Sequence, residues 1–342
     1  MKIAIHQRKN SYSDKWIKYC QANNIPYKIV SCYDNDIINQ LSDCEGLMWH
    51  WDLNDYKAAL FAKQLTISLE KKNLKVFPSV NTSWHYDDKV GQKYLLEAIE
   101  APIVPTHVFY SKEEALEWVE SVKFPLVFKL RGGASSINVR LVKNFRQAKK
   151  LIRIAFDKGF ASKNRFEKIK SRIVNLASSI NFENFIALIK SILRIFIPTE
   201  IEKFSLRQKG YVYFQDFIPN NSYDTRIEVI GNHCTAVRRY NRKNDFRASG
   251  SGDWSFERKL FDHEMIKLAF EIAGKLNLQS VAFDFIVDKD QSKVVEMSYC
   301  WPTEGSELYS GYWDRNLNWH EGNVTSENFM ISDFISKIAK SK

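Results

Sequence analysis

Through its first eighty residues the chain alternates short apolar runs with amphipathic helical patterns, and this alternation restricts its opening to a small parallel sheet. Residues 2–6, 27–31, 46–49 and 75–77 read as strands, and 13–23, 34–41 and 56–72 as the helices that connect them. In sheets of this kind ligands sit outside the carboxyl ends of the strands, which places His50, Trp51 and Asp52 near a cleft.

The chain has 342 residues, 44% of them hydrophobic, which is enough for several packed units around real cores. No apolar run approaches the roughly 20 residues needed to span a bilayer, and the opening MKIAIHQRKN does not place a basic stretch before an apolar one. A cytoplasmic enzyme is expected. Cys20, Cys32, Cys44, Cys234 and Cys300 are odd in number and contain no CxxC pair, so they read as buried free thiols. The net charge of +10 calls for an anionic partner. With no zinc-finger spacing, RNP-like string or long basic run, nucleic acid is disfavoured against a nucleotide phosphate tail or a membrane surface.

Four segments are expected: a βαβ domain over 1–80, an α+β unit over 81–157, a basic helical insertion over 158–210, and a strand-rich unit over 211–342. Within the insertion, Phe182, Phe185, Ile186, Ile189, Ile192, Leu193 and Phe196 recur at helical spacing. This stripe reads either as an interior packing face or as a peripheral membrane or dimer contact, the latter because its flanks are basic. A membrane contact there would put the protein at the inner face of the membrane.

Three groups carry chemistry. Asp284 interrupts the apolar string Val281 to Val287, Glu296 follows Val294 and Val295, and the turn Asp288-Lys289-Asp290 pairs these strands as a hairpin. Two carboxylates brought together in apolar strands either share a cation, magnesium being suited to such oxygen ligands, or are paired to arginines. Lys129 ends the apolar strand 125–128, and the loop Arg131-Gly132-Gly133-Ala134-Ser135-Ser136 follows, which reads as a hairpin turn or as a cradle for phosphate oxygens. It is not a Walker loop or a dinucleotide fingerprint. Arg226, Arg239 and Arg247 supply always-charged forks suited to phosphate or carboxylate.

In this order, Asp88-Lys89 with Gly91-Gln92-Lys93, then Leu126 to Lys129 with its Gly/Ser loop, Tyr213 to Ile218, Asp224-Thr225-Arg226, and finally Asp284 with Val295 to Ser298 resemble the ATP-grasp superfamily over roughly residues 80–305. The resemblance is closest to the branch containing the ribosomal-protein glutamate ligase, whose polar loop carries a string like Asp245-Phe246-Arg247. It implies a mixed α/β and α+β architecture, an ATP-grasp fold preceded by a βαβ (pre-ATP-grasp) domain. It further implies that Lys89 and Lys129 contact ATP phosphates, that Gly132, Gly133, Ser135 and Ser136 belong to the phosphate lid, and that Gln215, Asp216, Phe217 and Ile218 form the adenine hinge. Asp224 would serve the ribose or an arginine. Arg226, Arg239 and Arg247 would face phosphate and the reacting carboxylate, and Asp284, Glu296 and Ser298 would hold Mg2+ or Mn2+. Ser298 stands where the family usually has Asn, Ala282 stands where some members have Arg, and the segment 182–197 has no counterpart.

The activity this implies is an ATP-dependent carboxylate-amine ligase working through an acyl phosphate, with an amino acid as the amine. Trp51, Trp301, Tyr312, Trp313 and Trp319 read either as core or as exposed rings for an acidic sugar acceptor. A peptide or protein tail is the alternative acceptor; a kinase and a non-catalytic nucleotide-binding protein are the alternative functions.

Overall fold

The computed structural model of the chain describes residues 1–52, 55–133, 138–161, 186, 189, 200–204, 206–302 and 308–340. The chain divides into two compact units, the first made of residues 1–86, 95–102 and 221–342 and the second of 87–94 and 103–220. Ser135, Ser136, the stripe 182–197 apart from Ile186 and Ile189, and most of the expected insertion lie outside the described residues.

The first unit opens with β1 (Ile3–His6), α1 (Tyr12–Ala22), β2 (Tyr27–Val30), α2 (Ile37–Gln40), β3 (Gly46–Met48), α3 (Tyr56–Lys71), β4 (Lys75–Phe77) and α4 (Val80–Ser83). The strands are parallel in the order β2-β1-β3-β4, the sheet that the alternation predicts. Ser11 caps α1 by accepting from the Ser13 amide, and the Asp55 carboxylate caps α3 by accepting from Lys57 and Ala58. Each cap satisfies amides that the first helical turn leaves without a backbone partner. All four residues of β1 are buried, as befits a central strand of a parallel sheet.

Helix α5 (Lys89–Ala98) contains the division between the units. The second unit continues with β5 (Thr106–Phe109), α6 (Lys112–Ser121), β6 (Leu126–Lys129), β7 (Arg140–Val142), α7 (Phe145–Phe156), α8 (Glu200–Phe204) and β8 (Val212–Asp216). Its sheet is antiparallel in the order β5-β8-β6-β7. Ala148, Leu151, Ile152 and Ala155 form one helical stripe on α7 and share a core with Phe128 and Phe214.

The first unit resumes with β9 (Tyr223–Ile230), β10 (His233–Tyr240), β11 (Trp254–Ser255), α9 (His263–Lys275), β12 (Ser280–Asp288), β13 (Gln291–Ser298), β14 (Gly311–Asp314), β15 (Trp319–Glu321) and α10 (Ser326–Ala339). The strands form an antiparallel sheet in the order β13-β12-β9-β10-β14-β15, with β11 added on β10. Lys289 and Asp290 both take positive φ, 49° and 65°, the backbone of the two-residue turn whose twist suits a hairpin. Ile227, Val229, Phe283 and Phe285 are buried and point to one side of the sheet, while the polar residues of β9 and β12 point to the other.

One core joins the parallel sheet to the end of β13 and to α10: Ile3, Trp16, Leu47 and Phe77 cluster with Tyr299, Trp301, Ile331 and Phe334. The Tyr12 hydroxyl donates to the Trp301 carbonyl and accepts from the Trp301 amide at 2.8 Å, and the Tyr299 hydroxyl donates to the Trp51 carbonyl. The five cysteines are free and buried. Among the described residues, no helix is long and apolar enough to cross a membrane.

Of the two readings of Trp51, Trp301 and Trp313, core holds and the exposed ring surface for a sugar does not, because all three indoles are buried. Trp51 packs edge-on against Tyr86 and tilted on Tyr299, and Trp313 meets Phe261 and Trp319. Tyr312 and Trp319 stay partly exposed on the β14–β15 hairpin.

Candidate functional site

In the second unit, three neighbouring strands arrange a buried cation. Thr106 on β5 and Val127 on β6 both pair with Gln215 on β8, and Lys129 lies two residues beyond Val127 on the same face. Lys129 Nζ donates to Gln215 Oε1 at 2.7 Å, and Gln215 Nε2 donates to Thr106 Oγ1 at 3.2 Å. Lys129 and Gln215 are both buried. Downstream, Asp216 meets His107 Nε2 at 3.2 Å, and Phe217 and Ile218 follow β8 with partial exposure.

The start of α5 is tied to the glycine loop of the same unit. Lys89 Nζ donates to the Gly133 carbonyl at 2.9 Å, and the Lys89 amide donates to the Arg131 carbonyl at 2.9 Å. The Gly133 amide donates to Asp87 at 2.6 Å, and Arg131 Nε donates to Asp88 at 2.8 Å. A Cβ at Gly132 would stand 2.7 Å from an Asp87 oxygen, so only glycine allows this approach without movement of that carboxylate. The structure therefore gathers Lys89, Gly132 and Gly133 at one place, with Lys129, Gln215 and Asp216 in the sheet of the same unit.

In the first unit, strand register composes a charged row. Arg226 on β9 pairs with Asp284 on β12, which pairs with Glu296 on β13. The next pairing on β12 and β13 joins Phe285 to Val294, so Val295 is the extra residue of a β-bulge that sets Glu296 opposite Asp284. One step along, Asp224 pairs with Arg239. Arg226 Nε and Nη2 both donate to Asp284, at 2.8 and 3.1 Å. Arg239 forks onto Asp224 at 2.6 and 2.7 Å and also reaches Asp284 at 2.7 Å.

Burial works to raise the Asp284 carboxyl, but the Arg226 and Arg239 guanidiniums outweigh it and hold this acid well below the usual carboxylate range. Asp224 moves the other way: burial and the Asp284 charge raise it against the pull of Arg239 and Arg226. Arg247 stands apart in its own loop, where it forks onto Asp245 with Nη2 at 2.6 Å. Ser298 pairs with Ala282, and its hydroxyl donates to the Cys300 carbonyl at 2.6 Å.

The donor set fits a hard divalent cation that takes one or two carboxylates and completes its shell with phosphate and water. Asp284 and Glu296 face each other across strands with the Ser298 oxygen beside them, although Asp284 is shared with two arginines. Among the described residues no group of three or more acidic, His or Cys side chains is placed to hold a metal.

Two charged residues absent from the expected set lie in the same unit. Glu228, two residues after Arg226, is buried and accepts from Thr235 Oγ1 at 3.0 Å and from the Tyr309 hydroxyl at 3.2 Å. Its signal was present, since a carboxylate within Ile227-Glu228-Val229-Ile230 breaks an apolar string as Asp284 does. Arg8, just beyond β1, pairs with Asp52 beyond β3, at the carboxyl ends of the parallel strands.

Residues 194–313 match the RimK-like ATP-grasp domain family. No curated protein sequence matches the chain. Among solved structures, the chain is similar to a RimK domain ATP-grasp protein from Sphaerobacter thermophilus DSM 20745, with 14% identity, a TM-score of 0.56, and coverage of 98% of this chain and 100% of that one. It is also similar to the D-alanine–D-alanine ligase of Bacillus anthracis, with 11% identity, a TM-score of 0.56 and full coverage of both chains. The biotin carboxylase of Campylobacter jejuni matches with 13% identity and a TM-score of 0.59 over 97% of this chain and 70% of that one. These likenesses establish the ATP-grasp fold, and the domain match places its RimK-like part.

Proposed function

We propose that this chain, which has the ATP-grasp fold and carries a RimK-like ATP-grasp domain over residues 194–313, is an ATP-dependent carboxylate-amine ligase. The observation that carries the reading is the row Arg226–Asp284–Glu296, in which strand register brings a guanidinium and two acids onto one sheet face.

In this reading Lys129 and Lys89 turn from the Gln215 and Gly133 oxygens to ATP phosphate oxygens. An ammonium held by an amide or peptide carbonyl gains by meeting an anion, since charge-assisted hydrogen bonds are roughly twice as strong as neutral ones. Gln215 to Ile218 edge the adenine, Gly132 and Gly133 let the backbone approach phosphate, and Asp224 orients Arg239. Arg226 and Arg239 take the substrate carboxylate and the charge that develops on the transferring phosphoryl group. Asp284 and Glu296 hold magnesium, which when bound offsets phosphate charge. The carboxylate attacks the γ-phosphorus, ADP leaves, and an amine then displaces phosphate from the acyl carbon. Arg247 joins the anion-binding set when it leaves Asp245.

Burial of Trp51, Trp301 and Trp313 removes most of the ring surface on which a sugar acceptor was expected, so a peptide or protein carboxylate is the acceptor class retained. The test is ADP release by the full chain with Mg2+ATP, L-glutamate, D-glucuronate or a glutamate-terminated peptide, with and without free amino acids. Substrate-dependent ADP release that falls at least about 100-fold in Asp284→Asn and in Glu296→Gln supports the reading. Release that is unchanged in both variants overturns the metal assignment, and ADP without amide product transfers the chain to the kinases.

A further inference from the structure

Glu228 is the buried acid that the proposed chemistry leaves unused. Its Oε2 accepts both the Thr235 and the Tyr309 hydroxyls, and among the described residues Oε1 accepts no hydrogen bond. Across the sheet it pairs with Ala282, which pairs with Ser298, so its neighbours toward β13 are two short side chains. Toward β10 and β11 the surroundings are aromatic. Tyr309 meets Phe256 edge-on at 4.9 Å, Phe256 meets Trp254 at 6.4 Å, and Trp254, paired with Arg239, is 43% exposed. A series of rings thus leads from the surface to a buried carboxylate.

A carboxylate flanked by aromatic faces is the chemistry that receives an ammonium group, through charge pairing and cation–π attraction. Residues two apart on a strand share a face at a separation of roughly 7 Å, so Glu228 stands beside Arg226. The charged and titratable groups around it are Arg226 on β9, Cys234 and Arg239 on β10, Tyr309, and Tyr12 of α1, which itself faces Glu327 of α10. Burial, opposed by Arg226 and the two hydroxyls, brings its titration to about 7, where a carboxylate exchanges protons near neutral pH.

We propose that Glu228, with Tyr309, Phe256 and Trp254, is the amine subsite: it binds the incoming amine as a primary ammonium and takes one proton from it. This inference rests on the ligase reading above. The ammonium passes one proton to the Glu228 carboxylate and becomes a neutral amine. Its nitrogen lone pair forms the C–N bond, the acyl C–O bond breaks with its electron pair going to phosphate, and the released phosphate carries off the second proton.

The test compares two nucleophiles in the full chain and in Glu228→Gln, whose amide oxygen still accepts the two hydroxyls. Hydroxylamine is uncharged at pH 7 and needs no base, whereas L-alanine and L-lysine arrive as ammonium ions. With L-glutamate, D-glucuronate or a glutamate-terminated peptide as carboxylate, hydroxamate formation should stay within roughly threefold of the parent chain, while amide formation falls about 100-fold or more and loses its decline below pH 7. Tyr309→Phe, which removes one donor to Glu228, should shift that acid limb to higher pH, and it serves if Glu228→Gln does not fold. Equal slowing of both nucleophiles, or of neither, or an unmoved limb in Tyr309→Phe, overturns the inference. Absence of hydroxamate in the parent chain with every carboxylate overturns the ligase reading and the inference with it.

Discussion

Two sets of cations, the lysines Lys129 and Lys89 in the second unit and the arginines Arg226 and Arg239 in the first, are held in opposite ways. In the second unit, Lys129 and Lys89 donate to the oxygens of Gln215 and Gly133, which carry no formal charge. In the first, Arg226 and Arg239 are locked by bidentate forks onto Asp284 and Asp224. A compact ammonium can trade a neutral oxygen for an anion at little cost, whereas a planar guanidinium surrenders two directed bonds at once. The lysine set is thus suited to capture and release, and the arginine set to holding a fixed geometry through a reaction.

This contrast is most exposed to test at Arg239. Arg239→Met leaves Asp224 and Asp284 buried beside each other without their shared partner, and urea unfolding at pH 7 should show a loss of about 3–5 kcal/mol. A loss no larger than that of Lys129→Met would erase the distinction between the units.

The next effect is a dependence on pH confined to the first unit. Glu228 titrates at about 7 in the folded chain against 4.5 for an ordinary glutamate, so the folded state keeps a proton that the unfolded state gives up. Its contribution to stability is therefore fully present below 4.5 and is lost as the pH rises toward 7, by on the order of 3 kcal/mol. Urea midpoints measured from pH 4.5 to 8 should show this decline in the parent chain and a flatter curve in Glu228→Gln.

Lys129→Met should cost less stability, about 1–3 kcal/mol for leaving Gln215 without its donor, yet weaken ATP binding roughly tenfold or more by calorimetry. Smallest is Arg131→Lys, which removes a fork onto Asp88 from a guanidinium that is 56% exposed, with an expected change below about 1 kcal/mol by thermal unfolding.

Much of this was legible before any coordinates. Short apolar runs and their spacing specify the parallel sheet, and the apolar string 280–288 has the limits of the strand it forms. The turn residues Lys289 and Asp290 were enough to bring Asp284 and Glu296 together. What periodicity does not carry is which partner a charged side chain selects. Nothing in the order of residues says that Arg226 and Arg239 converge on Asp284 instead of pointing at a ligand, or that a bulge at Val295 corrects the register of Glu296. Glu228 obeys the same pattern as Asp284 but belongs to no motif of the resemblance, so the sequence alone does not single it out. The choice between core and exposed ring at Trp51 and Trp301 stays open in the sequence for a related reason: an aromatic residue looks the same there whether a distant tyrosine covers it or water does.

The parallel sheet is completed by residues near the other end of the chain. Gly46 on β3 lies so close to Phe334 of α10 that a Cβ there would come within 2.6 Å of its ring, and Tyr12 and Tyr299 fasten partners 289 and 248 residues away. During synthesis the first eighty-odd residues must wait at the ribosome with one apolar flank bare until almost the whole polypeptide has emerged. Chaperone attendance should therefore peak late in translation, and a stop codon placed before α10 should send the nascent protein to aggregates or proteases instead of yielding a smaller folded product.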